Sequence, residues 1–374
     1  MRPLCMTRRQ WLALAGVAAG TIQLACGVKH SSKAPANSKL AMPGPFRGRV
    51  VAVEHPAAII SNEYQPDAVS SMMKRGMTAL GDAGGYLDTW RLLFQPGDVV
   101  GIKLNPVGRP HVISSPVVLH EIIAALKQCG VKAEDIVCYD RYKVEFLTAG
   151  FDKWLPEGVR WMHAAEKYDD VQKNILGYDK DHFFELPLTL PGEDAGDVEN
   201  RRSYAAEFIT KHIDKMINLC VLKDHQSAGI TLALKNMSHG LVNNVNRSHA
   251  TTTLNACGAF IPASVSLPAI RNKVVLHILD GVKGLYHGGP GAKPQFVWNH
   301  NTMYFATDPV ALDHVGWRAL DAKREEMGMK PVATDLPDKF STFLRRQPEH
   351  VEIAGALGLG EWRWDKIDVR RVAG

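Results

Sequence analysis

Short apolar runs alternate with amphipathic stretches along most of the chain, separated by glycine, proline and small polar residues. Arg49 to Glu54 reads as a first strand, and Pro66 to Leu80 has helical periodicity, opening with Pro-Asp and closing at Gly81. After the turn Pro96-Gly97-Asp98, the run Val99 to Asn105 is of the buried-strand type. Ser114-Ser115-Pro116 caps a helix that runs through Cys129 and stops at Gly130. Asp135 to Asp140 is a third strand. Strand, helix and strand in this order predict a parallel sheet with right-handed crossovers.

From Gly158 to Asn200 the texture changes. Val159 to His163 and His182 to Leu190 read as strands of a smaller antiparallel insertion spanning about 158–202, with a polar loop from Gly192 to Arg202. The buried-strand pattern then returns at Met216 to Leu222, Lys273 to Leu279 and Thr302 to Ala306. Gly229 to Met237 and Thr252 to Val265 read as helices, the second interrupted by Pro262. Asp308 to Met327 is the clearest late helix, with Asp308 as cap and Pro309 at its first position. Glu349 to Leu357 and a closing strand Lys366 to Val372 follow. The expected fold is α/β: a mostly parallel sheet flanked by helices, with a small mainly antiparallel insertion, in one domain over 49–374.

Polar residues collect at the carboxyl ends of these strands. Lys103 and Asn105 end the second strand and Asp140 and Arg141 the third. Lys223, Asp224 and His225 end the run from Met216, Asp280 ends the run to Leu279, and Thr307 and Asp308 end the run to Ala306. In open α/β sheets ligands bind outside the carboxyl ends of the strands, so these residues are expected to meet in one crevice. Lys103, Lys223 and Lys235, with Asn105, Thr231 and Asn236, suit a small anionic ligand. His225, Asp280 and Lys223 are the catalytic candidates, and Asp140, Asp308 and Asp313 are candidate ligands of a divalent metal.

Each residue also has a structural reading. Asp308 before Pro309 is an ordinary helix cap, Asp280-Gly281 a common turn, and the lysines and aspartates can simply neutralise one another. Gly284 to Gly291 is either a lid carrying His287 or a glycine-rich loop, and it lacks the lysine and spacing of a phosphate-binding P-loop. His239, His249 and His300 read first as surface histidines.

Composition sharpens this picture. The 374 residues are 45% hydrophobic and 22% charged, which excludes a disordered or disulfide-stapled chain. The formal charge is +5, and all of it lies in residues 1–36, where Arg2, Arg8, Arg9, Lys29 and Lys33 meet no acid. Of 44 basic residues, 39 remain beyond that segment against 39 acidic ones, which disfavours a nucleic-acid partner.

Thr7-Arg8-Arg9-Gln10-Trp11-Leu12 followed by the uncharged run Trp11 to Ala25 has the pattern of a signal peptide too short to span a bilayer. The arginine pair resembles a twin-arginine translocation signal, with Trp11 and Ala13 departing from the usual Phe and Lys. Export to the periplasm through that machinery, cleavage near Ala36, a linker over 37–48 and no permanent transmembrane helix are expected. Lipid anchoring at Cys26 is the competing outcome. Cys129, Cys138, Cys220 and Cys257 form no C-x-x-C pair, which argues against cysteine-only metal sites and leaves their disulfide status open.

The segments Val100 to Asn105, Ile217 to His225, Gly229 to Asn236, Ile278 to Gly281 and Thr307 to Asp313 resemble, in order and spacing, the family catalogued as domain of unknown function 362, from about residue 49 to Gly360. The family has no general assigned reaction. Some members carry an added ferredoxin-like cysteine segment; this chain has none, so an iron–sulfur cluster is not expected. The residues named above point to an exported enzyme that binds a small anion and a metal or redox cofactor. The alternative is a non-catalytic periplasmic binding protein or a maturation partner of an exported redox enzyme.

Overall fold

The computed structural model describes residues 29–30, 38–82, 84–334, 339–340, 343–344, 346 and 348–374. The leader and its Cys26 thus lie outside the described residues, except for Lys29–His30, whose backbone pairs antiparallel with Glu185 and Phe184.

Ten strands carry the architecture: β1 Arg49–Glu54, β2 Val100–Lys103, β3 Ile136–Tyr139, β4 Arg160–Met162, β5 Tyr178–Glu185, β6 Arg202–Ala206, β7 Lys215–His225, β8 Val274–Leu285, β9 Val297–Ala306 and β10 Asp368–Ala373. Eight of them form one sheet in the order β10-β1-β9-β8-β7-β2-β3-β4, with Gly229–Ile230 paired onto the end of β7. All neighbours on this path are parallel except β9, which runs antiparallel to both β8 and β1. β5 and β6 form a separate antiparallel sheet. The expected fold class is therefore the observed one. One strand departs from expectation: Arg160–Met162 is the parallel edge of the main sheet, and not part of the small one. None of its three residues is fully buried, as suits an edge strand.

The helices cover both faces. On one lie α1 Pro66–Gly81, α2 Tyr86–Leu93 and α3 Pro116–Gln128, packed on Ile102, Cys138, Ile217 and Ile278. On the other lie α4 Leu232–Leu241, α5 Cys257–Val265, α6 Pro309–Glu326 and α7 Glu349–Ala356, packed on Cys220, Leu222, Leu279 and Tyr304. Successive strand residues point to opposite faces, so two separate apolar cores form on the two sides of one sheet. Sequence punctuation acts as expected at α3, where the Ser115 side chain accepts from the Val117 N–H and Pro116 occupies the first helical position. α2 falls in a stretch with no assigned element at the sequence level; its eight residues are too few to show a helical period.

Candidate functional site

A cavity of about 300 Å³ opens where β2, β3 and β7 end beneath α4. Eight of the residues named from sequence line it: Lys103, Asn105, Asp140, Lys223, His225, Thr231, Lys235 and Asn236. β2, β3 and β7 are adjacent and parallel, which brings their carboxyl ends to one edge.

The polar groups are held by a connected network. Lys103 Nζ donates to Asp140 Oδ1 at 2.6 Å, and both side chains are buried. Lys223 Nζ donates to Asn105 Oδ1 at 2.9 Å and to the Val107 carbonyl. Asn105 Nδ2 donates to Asn236 Oδ1, Asn236 Nδ2 to Asn218 Oδ1, and Asn218 Nδ2 to the Ala233 carbonyl, at 2.9, 2.7 and 3.1 Å. Ser114 ties this chain to the sheet, accepting from Asn105 N and donating to the Leu219 carbonyl, both at 2.8 Å. Each asparagine thus has its orientation set by its neighbours.

Lys235 is the exception. It is 7% exposed and lines the cavity, and its ammonium has no hydrogen bond or ion pair among the described residues. Burial pulls its pKa down to about 8. Burial, reinforced by the nearby charges of Lys235 and Lys103, pulls Lys223 down to about 7. Burial and the neighbouring Asp140 raise Glu145, which also lines the cavity and lies 3.9 Å from Arg109.

His225 is buried, and burial followed by the Lys235 charge holds it well below its usual pKa. Its Nδ1 accepts from the Ser227 and Ala228 N–H groups at 3.2 and 3.3 Å. The neutral ring therefore carries its hydrogen on Nε2 and offers a donor there, which suits an anion better than a metal.

The remaining named residues lie elsewhere. Asp280 faces the other core, accepting from Tyr64 Oη and Ser115 N, each at 3.1 Å, and burial raises it to about 6. Asp308 ends β9, which runs in the opposite direction, so it stands at the opposite edge of the sheet. There it accepts from Gly48 N, Val310 N, Ala311 N and Glu361 N, and is a cap as its structural reading has it. Asp313 accepts from Ala233 N and Leu234 N at 2.7 and 3.0 Å, holding the start of α4, where Leu232 has φ of +35°. Asp140, Asp308 and Asp313 do not share a ligand sphere; among the described residues, one group of three or more metal-ligating side chains converges, and it contains none of them. His287 is buried against Arg324 and Phe296, outside the cavity, while Pro290 of the same loop lines it. The four cysteines from Cys129 to Cys257 are buried and free.

Arg141, expected at this crevice from its place at a strand end, lines the cavity, and so do His239 and His249, which the sequence presented as surface groups. His239 stands four residues after Lys235 on α4, and residues at that spacing share a helix face, so that signal was available. Arg141 donates to Tyr178 Oη at 3.0 Å, Gln172 Oε1 at 3.1 Å and the His239 carbonyl at 3.3 Å. Gly240 leaves room for the tip of Lys103, since a Cβ there would lie 2.2 Å from Lys103 Cε.

The profile of a family described as Domain of unknown function (DUF362) matches residues 100–318. Among solved structures, the chain is similar to a structural-genomics protein from Thermotoga maritima at 14% identity and a TM-score of 0.32, covering 59% of this chain and 51% of that one. It is also similar to the lactate racemase apoprotein from Thermoanaerobacterium thermosaccharolyticum at 12% identity and a TM-score of 0.37, covering 77% of this chain and 61% of that one. The chain thus spans about half of the first and about three fifths of the second. No curated protein matches it.

Proposed function

The chain belongs to the DUF362 family, and from that premise and the geometry of the cavity we propose an enzyme that binds a small carboxylate or phosphate compound at the ends of β2, β3 and β7. The observation that carries this reading is Lys235, a buried cation facing a cavity with no counter-ion among the described residues. An unpaired buried charge costs stability, and an anion in the cavity would offset that cost. His225 Nε2 and Arg141 supply further donors. Lys223, poised near neutrality between two acceptors, is the proton-transfer group. The Lys103–Asp140 pair is already neutralised and holds the wall.

Export belongs to the same proposal. The charge-free run after Arg8-Arg9 supports a twin-arginine leader over 1–36, a linker over 37–48 and a folded unit over 49–374 placed in the periplasm. Among the described residues no helix is long and apolar enough to cross a membrane. The mass of the mature amino terminus tests cleavage near Ala36 against lipidation at Cys26.

Calorimetric titration with inorganic phosphate and with succinate tests the site. At least one of them binds the wild-type protein, and Lys235→Met weakens that binding at least about tenfold, as loss of a charge-assisted hydrogen bond requires. Equal affinity in Lys235→Met, with the near-ultraviolet dichroism unchanged, would overturn the reading.

A further inference from the structure

We propose that His239, His249 and Cys257 form a site for a divalent transition metal of the zinc type, set in the wall of the cavity and open to it. One ligand atom from each lies within 4.8 Å of the others. The three come from α4, from the loop after it and from the first position of α5, so the fold converges them from separate elements. His239 and His249 face the cavity directly.

The chemistry of the donors fits such an ion. Two imidazoles and a thiolate favour zinc-like cations over magnesium or calcium, which take oxygen ligands. Burial keeps both rings neutral, with His249 at about 3 and His239 well below its usual value, so no proton competes for their lone pairs. Burial raises the Cys257 thiol, while the Lys235 charge and the hydrogen bonds it shares with the Ser227 and Ser248 hydroxyls work the other way. Its place at a helix start also favours the thiolate that a metal would draw out.

An orienting shell is present. Ser238 Oγ lies 2.9 Å from His239 Nδ1, which leaves Nε2 as the ligand atom. The Ser248 hydroxyl now sits among the three groups, 3.1 Å from His239 Nε2, 2.9 Å from His249 Nδ1 and 4.0 Å from Cys257 Sγ. A cation takes over those interactions when that hydroxyl turns aside, and tetrahedral coordination then needs the ligands to close by about 1 Å. Three protein ligands leave a fourth position toward the cavity, where the anion of the proposed function would bind.

The inference deepens that reading but does not depend on it. Cobalt(II) titration of the full chain after chelator treatment is the test. A thiolate-to-cobalt charge-transfer band should grow and saturate at one equivalent, vanish in Cys257→Ser, and in His249→Ala require at least about tenfold more cobalt. Absence of a saturable band in the wild-type protein overturns the metal site, as does its persistence in Cys257→Ser. Lys235→Met separates the two proposals: it should lose succinate affinity while saturating cobalt still gives the charge-transfer band, because His239, His249 and Cys257 are all retained.

Discussion

Lys223 and Lys235 differ in how the fold treats them. Lys223 is bonded to Asn105 and Val107, whereas Lys235 is buried in the same wall without an acceptor among the described residues. Both have pKa values lowered by burial, to about 7 and about 8, so their charge is lost within the range of ordinary buffers. Anion affinity should therefore fall as pH rises through 7 and 8. Succinate is the better probe, since both of its carboxyl groups titrate in the acid range and keep their charge above it. Calorimetry between pH 6.5 and 9 should show its affinity dropping toward tenfold per pH unit above about 8; a flat profile would mean that neither lysine holds the anion. The residue types were legible in the sequence, because a lysine inside an apolar strand demands an explanation. Whether a given lysine finds a partner was not, since Asn105 and Asp140 reach their partners from other strands.

At the level of elements, direction decided what the residue pattern could not. An apolar run ending in an acid looks the same whether its strand runs up or down the sheet. β9 runs against its neighbours, which carries Asp308 away from the cavity and makes it the cap of α6. Four backbone N–H groups donate to it, so Asp308→Ala should destabilise the protein by about 3–5 kcal/mol, measured by urea unfolding, while leaving succinate affinity unchanged. A change in affinity at constant stability would instead return Asp308 to the site. The β5–β6 sheet and the loop before α5 are joined by Arg247, which is fully buried and donates to the carbonyls of Asn244, Leu186 and Leu188 and to Ser203 Oγ. That arginine stands two residues before His249, so the small sheet helps position one wall of the cavity.

Across the whole molecule, buried ionisable groups set the pH range of stability. His225, His239, His249, His277 and His350 all have pKa values lowered by burial, so the unfolded chain binds more protons than the folded one below about pH 7. Lys223 and Lys235 are also lowered, which extends the same sign upward from about pH 7. Asp280, Asp308 and Asp313, raised by burial, act with the opposite sign, but the histidines and lysines outnumber them, so stability of the ligand-free protein should rise from pH 6 to about 8.5. Above that, Cys138, Cys220 and Cys257, all raised by burial, work in the opposite direction as the unfolded thiols ionise. Scanning calorimetry across pH 6–8.5 checks this, and a midpoint that falls over that interval would contradict it.

By itself the sequence determined the α/β class, most strand and helix positions and eight of the residues that line the cavity, because these follow from hydrophobic period and from local caps and turns. The tertiary structure alone decided that Arg160–Met162 joins the main sheet, that Asp280 and Asp308 serve other parts of it, and that His239, His249 and Cys257 meet. Strand direction, sheet order and the convergence of distant segments depend on which surfaces bury one another. That is a property of the whole packed chain, and no local run of residues encodes it.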